Sequence, residues 1–561
     1  MPWKGRVLKH RVIQPTMAVR VMPQKRRNRR AERAPTVRRA WASHSATWAL
    51  LAVILFFAGI RFRLGDIPLE RDEGEYAYAG QLMLHGVPPY QLAYSMKFPG
   101  TYAAYAVIMA VFGETSRGIH TGFLFVNIAT VVLVYLLGRR LFGNTAGAIS
   151  GMAYTCLSAS TAVFGLAAHA THFVELAAVG GILLLLHALE SDRALLFFAS
   201  GTCFGLAFLM KQPGIVFSMF AFAYLVYRKW DQRQNWRHVL WRCAALMIGI
   251  AWPFGITCLL LYSARTLSRF WFWTFTYARA YGTRVPSVVA LHNFRSSALD
   301  LLRFDAGLWL IAGIGVVTLF FSRQARTHAF FVLSLLGFSC LGVSAGRYFR
   351  PHYFVLLLPA AALLCGVAVA HGIEAIQGDR LSTVLKAIPA LTFAGALLFS
   401  LLQERPFLFA ANSEIANRRL YYDNPFVEAK AVAEYIRQNS APDAKLAVFG
   451  SEPEIYFYAQ RRSATGYIYT YSLMEQQEYA ERMQNEMIEE VIQAQPEYAV
   501  FVDDRLSWLW HPGGLRQEFM NQILRYMSTA YDSAGEVEIS GEPDHGIGDA
   551  AKIYVFRRKA Q

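Results

Sequence analysis

"SATWALLAVILFFAGIRFRLGDIPLERDEGEYAYAGQLMLHGVPPY" (residues 45–90) joins an apolar run to a dense group of charges. Residues 45–61 are mostly apolar and long enough to cross the hydrocarbon core of a bilayer. Residues 69–75 then carry four acids and one arginine. The stretch therefore predicts a membrane-spanning helix followed by a charged, structured segment at the membrane surface.

The composition of the whole chain points to the membrane as well. Of its 561 residues, 55% are hydrophobic and only 17% are charged. Apolar blocks of about 16 to 22 residues recur along the chain, each long enough to span a bilayer. The six cysteines lie within these blocks, without CxxC or Cys/His metal spacing, which favours a packing role. We therefore predict a polytopic α-helical membrane protein.

The apolar blocks predict eleven spans. We place them at 45–61, 118–138, 146–164, 173–189, 195–210, 214–227, 243–262, 305–321, 329–345, 353–371 and 387–403. With the amino terminus in the cytoplasm, the short loops rich in Lys and Arg also lie in the cytoplasm, as the positive-inside rule expects. Residues 69–90 and everything after residue 404 then lie outside. The expected location is the cell (inner or plasma) membrane.

Three parts of the chain differ in composition. Residues 1–40 carry thirteen Lys and Arg against the single acid Glu32, so we expect 1–44 to be a disordered cytoplasmic tail near anionic headgroups. Residues 45–404 form the predicted transmembrane domain, with a first external loop at 62–117 that contains amphipathic helices. Residues 420–561 alternate predicted helices and strands, which indicates an extracytoplasmic α/β domain. The helices are expected at 426–439, 474–494 and 514–528, and the strands at 445–449, 498–502, 536–540 and 552–557.

Two explanations fit the acids of residues 69–75. Asp72 precedes an amphipathic run, and Glu75 lies three positions later, so the pair resembles a capping box at a helix start. A cap leaves Glu70, Arg71 and Glu73 unexplained. The alternative is catalysis, and the two are compatible, because an immobilised carboxylate is well placed to accept a proton.

Several motifs resemble a known family. They are Asp72-Glu73 with Tyr76 downstream, Gly-x-Pro-Pro-Tyr (86–90), Lys-Phe-Pro-Gly (97–100), GLAFLMKQPG (205–214), GRYFRPHYFVLLLP (346–359), VAEYIRQ (432–438) and GSEPEIYF (450–457). Together they resemble the GT-C superfamily of membrane glycosyltransferases, in particular the protein O-mannosyltransferase and aminoarabinose-transferase type. The resemblance covers roughly residues 45–510 and implies a GT-C fold for the transmembrane catalytic domain.

The resemblance implies a reaction and its partners. Relatives transfer a sugar from a polyprenyl-phosphate-linked donor to a glycan, lipid or protein acceptor on the extracytoplasmic face, usually with inversion, and most of this subgroup work without a bound ion. Carried over by position, Asp72 becomes the general base that removes the acceptor's proton, and Glu73 orients the acceptor or holds Asp72. We expect no cofactor, no metal and no nucleic-acid partner.

The departing phosphate needs positive charge. Lys97, Lys211, Arg347 and Arg350 sit in the family-like motifs at predicted outer ends of spans and are our candidates for binding the donor phosphate. The predicted outer loop 263–303 holds six more arginines, among them Arg279. Either an anionic substrate explains these arginines, or an interfacial helix whose arginines reach lipid headgroups does.

Further residues are candidates for the substrate cavity. They are Tyr76, Tyr90, His169, His172, Glu175, Arg279, His352, Tyr353 and Glu452. His169 and His172 are spaced to share a helix face and could bind a metal with Glu175, but a polar cavity wall explains them equally, and we favour the wall. Glu452 is a candidate for recognising the acceptor.

Two other classes of protein stay open. A transporter or flippase for polyprenyl lipids or glycolipids also has many spans and a polar cavity, but such proteins commonly show repeated halves and midplane charges. The sequence shows no internal repeat, and its charges cluster at the outer ends of spans. A membrane scaffold would not require Asp72 and the external cations to converge. The sequence therefore favours a transferase.

Overall fold

The computed structural model describes residues 33–231, 235–282, 284–376, 383–509, 516–539 and 551–560. The predicted disordered tail 1–44 lies mainly outside these ranges. Where the two overlap, the backbone of residues 33–44 is helical.

Helices dominate the chain, and we number those of nine or more residues. They are α1 (Arg33–Arg63), α2 (Arg71–Leu84), α3 (Pro99–Phe112), α4 (Ser116–Phe142), α5 (Asn144–Leu157), α6 (Ala170–Ser191), α7 (Ala194–Met210), α8 (Ile215–Asp231), α9 (Trp236–Ser263), α10 (Ser287–Phe321), α11 (Ala329–Val343), α12 (Leu358–Ile376), α13 (Thr383–Gln403), α14 (Ser413–Tyr421), α15 (Phe426–Asn439), α16 (Ala480–Ala494) and α17 (Arg516–Ala530). Short helices occupy Leu267–Trp271, Ala278–Gly282, Arg323–Arg326, Arg405–Leu408, Glu454–Ala459, Tyr471–Met474 and Arg505–Trp508.

Within the described ranges, six helical segments are long and apolar enough to cross a membrane. They are Ser45–Arg63, Ser116–Phe142, Ala170–Ser191, Trp236–Ser263, Ser287–Phe321 and Pro351–Ile376. Four shorter apolar helices accompany them, at Pro99–Phe112, Ala194–Met210, Ala329–Val343 and Ala387–Gln403. Each predicted span overlaps a helix, but the block at 146–164 extends past the end of α5 at Leu157, so its last seven residues are corrected to a turn and a short 3₁₀ segment. The blocks at 195–210 and 214–227 are separate helices, α7 and α8. The chain is thus a polytopic helical membrane protein.

Helix α10 corrects the predicted outer loop at 263–303. The helix begins at Ser287, eighteen residues before the predicted span, so Arg295 and Arg303 lie on it rather than in a loop. Its amino-terminal half carries exposed apolar residues at helical spacing, including Leu291 and Phe294, which explains the extension. Backbone angles at Asp305 (φ −129°, ψ 25°) are non-helical and interrupt the helix between its two halves.

The centre of the helical bundle is the segment Pro351–Ile376. Its apolar window is 94% buried, against 22% for Ser45–Arg63 and 28% for Trp236–Ser263. It begins as a 3₁₀ helix (Pro351–Leu357) and continues as α12, which packs against α5, α10 and α13. The motif that contains Arg350 and His352 therefore lies where the central helix begins.

The C-terminal part contains a five-stranded sheet. Its strands are β1 (Lys445–Phe449), β2 (Arg462–Ser463), β3 (Tyr498–Asp503), β4 (Tyr531–Glu538) and β5 (Lys552–Arg558). The order is β2-β1-β3-β5-β4, with β1 parallel to β2 and β3, and β5 antiparallel to both neighbours. Helix α15 falls where it was predicted. Of the predicted helix 474–494, residues 480–494 form α16, and the part before residue 480 is not continuous with it. We call residues 420–560 the C-terminal region.

Helix α2 is the element on which the C-terminal region docks. The guanidinium of Arg71 donates to the carbonyl of Ser451 at 2.8 Å and to Glu452 at 2.9 Å. Gly74 lies against Glu454 so closely that a Cβ at this position would be 2.7 Å from the Glu454 backbone nitrogen. These contacts fix α2, and therefore its acidic first turn, between the bundle and the C-terminal region.

Candidate active site

The helix cap of α2 differs from the predicted one. Glu70, rather than Asp72, is the N-cap, and its side chain accepts a 2.8 Å hydrogen bond from the backbone N–H of Glu73. Glu73 returns the bond to the Glu70 N–H, which completes a capping box. The sequence pattern could not choose between two acid pairs with the same three-residue spacing. Capping by Glu70 leaves the Asp72 carboxylate available for other contacts.

Asp72 forms one end of a chain of polar contacts. The ammonium of Lys97 donates to Asp72 Oδ1 at 2.7 Å and to Glu75 Oε2 at 2.7 Å. Glu75 Oε1 accepts from the hydroxyl of Tyr102 at 2.8 Å. The Lys97 nitrogen also lies 4.6 Å from the centre of the Tyr76 ring, a cation–π geometry. In the part of the chain that the structure describes, Asp72 Oδ2 has no hydrogen-bond donor.

The electrostatics of this pair keep both groups charged. Burial opposes ionisation of Asp72, but the surrounding positive charges, Lys97 first and then Arg350, together outweigh it and lower the pKa of the carboxyl below its usual range. Burial likewise opposes the charge of Lys97, but Asp72 and Glu75 raise the pKa of its ammonium well above the ordinary value. Asp72 is therefore an ionised carboxylate at neutral pH.

Two cavities meet at Asp72. Chamber A, of about 440 Å³, is lined by Asp72, Glu75, Tyr76, Lys97, Lys211, Arg279, Arg350, Tyr353 and Glu475, among others. Chamber B, of about 910 Å³, is lined by Glu70, Asp72, Asp300, Arg303, Gln403, Glu404 and Arg419, among others. The walls that both chambers share are Asp72, Arg350, His352, Tyr469 and Tyr471. A group in either chamber can reach the Asp72 carboxylate.

Chamber A gathers positive charge. The Lys211 ammonium lies 4.1 Å from the centre of the Tyr353 ring, and no carboxylate in the described ranges forms an ion pair with it. Burial lowers the pKa of Lys211 to about 7, because the nearby Asp72 and Glu70 carboxylates only partly offset the lost hydration and the repulsion from Lys97 and Arg350. Arg350 approaches the hydroxyl of Tyr281 at 3.5 Å and the face of Tyr348. The chamber therefore has the charge to accept an anion.

Two histidines form the wall beside Asp72. The rings of His169 and His352 stack with centroids 4.1 Å apart, and neither nitrogen of His169 has a hydrogen-bond partner among the described residues. One ligand atom each from Asp72, His169 and His352 lies within 4.8 Å of the others, close enough to consider a metal ion. Burial lowers the pKa of His169 to about 4, so its imidazole is neutral at neutral pH.

The remaining predicted residues lie elsewhere. Glu73 is buried and accepts from His120 and from the backbone of Ala168, so it faces away from both chambers. The prediction that Glu452 faces a substrate cavity is corrected, because its side chain is fully buried between Arg71 and Ser507. The other residues outside the chamber linings are Tyr90, which donates to the Lys97 carbonyl, Arg347, which is exposed, and His172 and Glu175, which are buried on α6.

Sequence reasoning missed several residues of the site. Glu75 was assigned to a cap, although its position three residues after Asp72 also places it on the same helix face, where it shares Lys97. Glu475 accepts from Tyr277 at 2.7 Å and from Arg284 at 2.8 Å and closes one side of chamber A. Tyr469 and Tyr471 come from the C-terminal region. No local pattern marks these three residues.

Comparisons with known proteins agree with this architecture. A family model described as dolichyl-phosphate-mannose-protein mannosyltransferase matches residues 97–278, which include Lys97, His169 and Lys211. A search of curated proteins gives no match. The matched stretch begins at Lys97 and ends at Ala278, and both residues line chamber A.

Solved structures extend the likeness to most of the chain. ArnT from Cupriavidus metallidurans, bound to undecaprenyl phosphate, is 16% identical with a TM-score of 0.54, over 90% of this chain and 97% of ArnT. Its apo state gives 16% identity and a TM-score of 0.56, over 91% and 98%. The archaeal oligosaccharyltransferase AglB from Archaeoglobus fulgidus, in complex with an inhibitory peptide and a dolichol-phosphate, is 12% identical, over 82% and 70%, with a TM-score of 0.49.

These findings confirm the resemblance to the GT-C membrane glycosyltransferases. The chain has the fold of ArnT, and its helices make it a multi-pass membrane protein.

Proposed function

We propose that this chain is an integral membrane glycosyltransferase that moves a sugar from a polyprenyl-phosphate-linked donor to an acceptor hydroxyl at the extracytoplasmic surface. One observation carries the proposal. Asp72 lies where two cavities meet, with one carboxylate oxygen bound by Lys97 and the other without a donor among the described residues. That geometry suits a base placed between a donor and an acceptor.

Chamber A would hold the donor phosphate. Lys97, Lys211 and Arg350 line it, and Lys211 has no competing carboxylate in the described part of the chain. Half-buried cations of this kind bind phosphate well, because each charge-assisted hydrogen bond is partly shielded from bulk water. ArnT, which shares the fold, has been solved with undecaprenyl phosphate, and this supports a lipid phosphate as the ligand here. Arg350 replaces Arg347 as the arginine of the motif that would contact it.

The reaction needs one proton acceptor. The acceptor oxygen attacks the anomeric carbon, its proton passes to Asp72 Oδ2, and the bond from the anomeric carbon to the phosphate oxygen breaks with its electron pair. The new C–O bond forms on the face opposite the leaving phosphate, so the configuration inverts. Because the phosphate leaves as a stabilised anion, no general acid is required.

We further propose that transfer requires no metal ion. Asp72, His169 and His352 are close enough to share an ion, but the Asp72 carboxylate already pairs with an ammonium, and Lys211 and Arg350 line the same chamber. Positive charges around a site disfavour a divalent cation. The three cations of the chain would then supply the charge that a metal supplies elsewhere.

The orientation completes the proposal. If all eleven predicted spans cross the membrane and the amino terminus is cytoplasmic, the basic loops lie in the cytoplasm. The first turn of α2 and the C-terminal region then lie on the extracytoplasmic side. A polyprenyl-linked sugar presented in the outer leaflet would reach chamber A from the membrane.

The proposal is tested by Asp72→Asn in the purified full chain. Radiolabelled undecaprenyl-phospho-sugars are incubated with detergent-extracted envelope material in EDTA, and label leaving the donor is counted. Loss of the base should reduce turnover by about 1,000-fold, while donor affinity changes little because the cations remain. The matched control is Asp66→Asn, an exposed carboxylate that pairs with Arg117 and lines neither chamber.

Retained turnover within about fivefold of the parent protein in Asp72→Asn would overturn the base assignment. Donor binding without any turnover in the parent protein would instead favour a lipid transporter. Activity that vanishes in EDTA and returns with a divalent ion would contradict the metal-independent mechanism.

A further inference from the structure

Two carboxyl groups beside chamber B have no part in the proposed reaction. Asp305 lies at the interruption of α10, and Glu404 directly follows the last residue of α13. They are close enough for their charges to repel, and only 1% and 4% of their surfaces are exposed. A buried carboxyl group costs free energy unless it is paired or hydrogen-bonded, so the burial of these two acids calls for a partner.

Only one of the four carboxyl oxygens is well bonded. Glu404 Oε1 accepts from the Ser160 hydroxyl at 2.8 Å, the Thr161 backbone N–H at 2.8 Å and the Thr161 hydroxyl at 2.9 Å. Glu404 Oε2 and both oxygens of Asp305 have no well-aligned hydrogen-bond donor among the described residues. The Ser400 hydroxyl, on a residue that is 1% exposed, lies beside Asp305 and is in the same condition. We call the side-chain oxygens of Asp305, Glu404, Ser160 and Ser400 the inner oxygen site.

In the described part of the chain, no basic side chain offsets these two acids. Arg303 and Arg405 are the nearest basic residues in sequence, but both are exposed, and neither forms an ion pair with Asp305 or Glu404. Burial raises the pKa of Glu404 to about 7, and the nearby Asp305 adds to this rise. Glu404 therefore holds a proton in about half of the molecules at neutral pH.

Three helices end at the inner oxygen site. Helix α5 ends at Leu157, three residues before Ser160, the first half of α10 ends at Asp305, and α13 ends at Gln403. The carboxyl end of a helix carries a partial negative charge on its unpaired carbonyls. Three such ends add to the negative potential of the acids. Interrupted helices and helix carboxyl ends coordinate sodium ions in the interiors of other membrane proteins.

We propose that the inner oxygen site binds a sodium ion, which holds together the two halves of α10 and the ends of α5 and α13. The site offers carboxyl and hydroxyl oxygens, the ligands that hard cations prefer. Sodium fits better than a divalent ion, because Glu404 is partly protonated and the cost of burying an ion rises with its charge. Thr161 and Glu404 line chamber B, which gives the ion a path inward. The ion would stabilise the fold and take no part in transfer.

The test measures sodium binding by the purified full chain in detergent, without substrate and with EDTA present to exclude divalent ions. In a scintillation proximity assay, the parent protein should retain about one radioactive sodium ion per chain. Replacing N-methylglucamine chloride by NaCl at constant ionic strength should raise the Tm by about 3 °C, because the ion binds only the folded state. Both effects should disappear in the double variant Asp305→Asn, Glu404→Gln, whose neutral amides keep the shapes of the two side chains.

Asp300→Asn is the matched control, because it removes a carboxylate of α10 that lines chamber B but lies more than one helical turn from Asp305. Its sodium affinity should stay within about twofold of the parent protein. Ser400→Ala guards against misfolding of the double variant, and it should weaken sodium binding by about tenfold. A parent protein that retains no sodium and whose Tm ignores it, or a double variant that binds sodium as the parent does, overturns the inference. No readout uses a substrate, so this failure would leave the proposed transferase function untouched.

Discussion

Lys97 is the residue on which the charges of the site converge. Its ammonium pairs with Asp72 and Glu75 and lies over the face of Tyr76. Because Lys97 already pairs with two carboxylates, an approaching phosphate must compete with Glu75 for this ammonium. Lys211, stacked on Tyr353, has no such competitor in the described ranges. Both lysines line chamber A, and we expect Lys211 to bind an anion more readily than Lys97.

Lys211 should make donor binding depend on pH. Its pKa is lowered by burial to about 7, and only the protonated form attracts phosphate, so binding takes up a proton. Affinity should therefore be greatest below pH 7. It should fall by about tenfold per pH unit above pH 7, until the raised pKa of the bound state is reached. Initial rates at varied donor concentration between about pH 6 and about pH 9 measure the effect as a rising KM.

The control for this prediction is Lys211→Arg. A guanidinium stays protonated throughout this range, so the KM of the variant should lose its rise above neutral pH. Lys211→Met should bind donor weakly at every pH. If Lys211→Arg keeps the pH profile of the parent protein, another group controls donor binding.

The faces of helix α2 make different contacts. Arg71, Gly74 and Tyr78 recur at helical spacing and contact the C-terminal region. Asp72 and Glu75 lie on an adjacent face and contact Lys97. The contacts with the C-terminal region and those with Lys97 are therefore made by the same short helix.

Gly74→Ala should weaken this docking. The new Cβ would meet the backbone nitrogen of Glu454 at 2.7 Å, and backbone cannot yield as a flexible side chain does. We expect a destabilisation of about 1–3 kcal/mol, typical of overpacking in a filled interface, and a lower Tm in detergent by differential scanning fluorimetry.

Gly59→Ala is the matched control, because this glycine also lies within a helix and has open space around its Cβ position. Its Tm should stay the same or rise slightly, since alanine favours the helix. Equal Tm values for Gly74→Ala and the parent protein would show that the C-terminal region does not pack on α2 as described.

At the scale of the molecule, the site is built from distant parts of the chain. Asp72 and Lys97 precede most spans, Lys211 lies between α7 and α8, Arg350 precedes the central helix, and Tyr469 comes from the C-terminal region. Both chambers therefore require the bundle and the C-terminal region together, because each is lined by residues from both.

The proposed orientation predicts a labelling pattern. In a variant whose six cysteines are replaced, Tyr435→Cys on α15 should react with a membrane-impermeant maleimide in intact cells. Arg323→Cys, in a short exposed helix after α10, should react only after permeabilisation. Both positions are exposed, so access alone decides the outcome. The reverse pattern would place Asp72 on the cytoplasmic side and remove the basis of the proposal.

The sequence by itself determined the membrane class and the approximate positions of most helices, and three of its four candidate cations, Lys97, Lys211 and Arg350, line chamber A with Asp72. The reason is that apolar blocks and helix periodicity are local properties, and short motifs such as Lys-Phe-Pro-Gly are readable along the chain. Even α15 was placed from its amphipathic pattern alone.

Only the tertiary structure decided which acid performs which task. Glu70 caps α2, Glu73 holds His120, Glu75 shares Lys97, and Glu452 neutralises Arg71. Acids that look equivalent in sequence differ in the partner that folding brings within hydrogen-bond distance, because the partner comes from another helix or from the C-terminal region. For the same reason the two chambers, whose walls join residues hundreds of positions apart, could not be read from any local pattern.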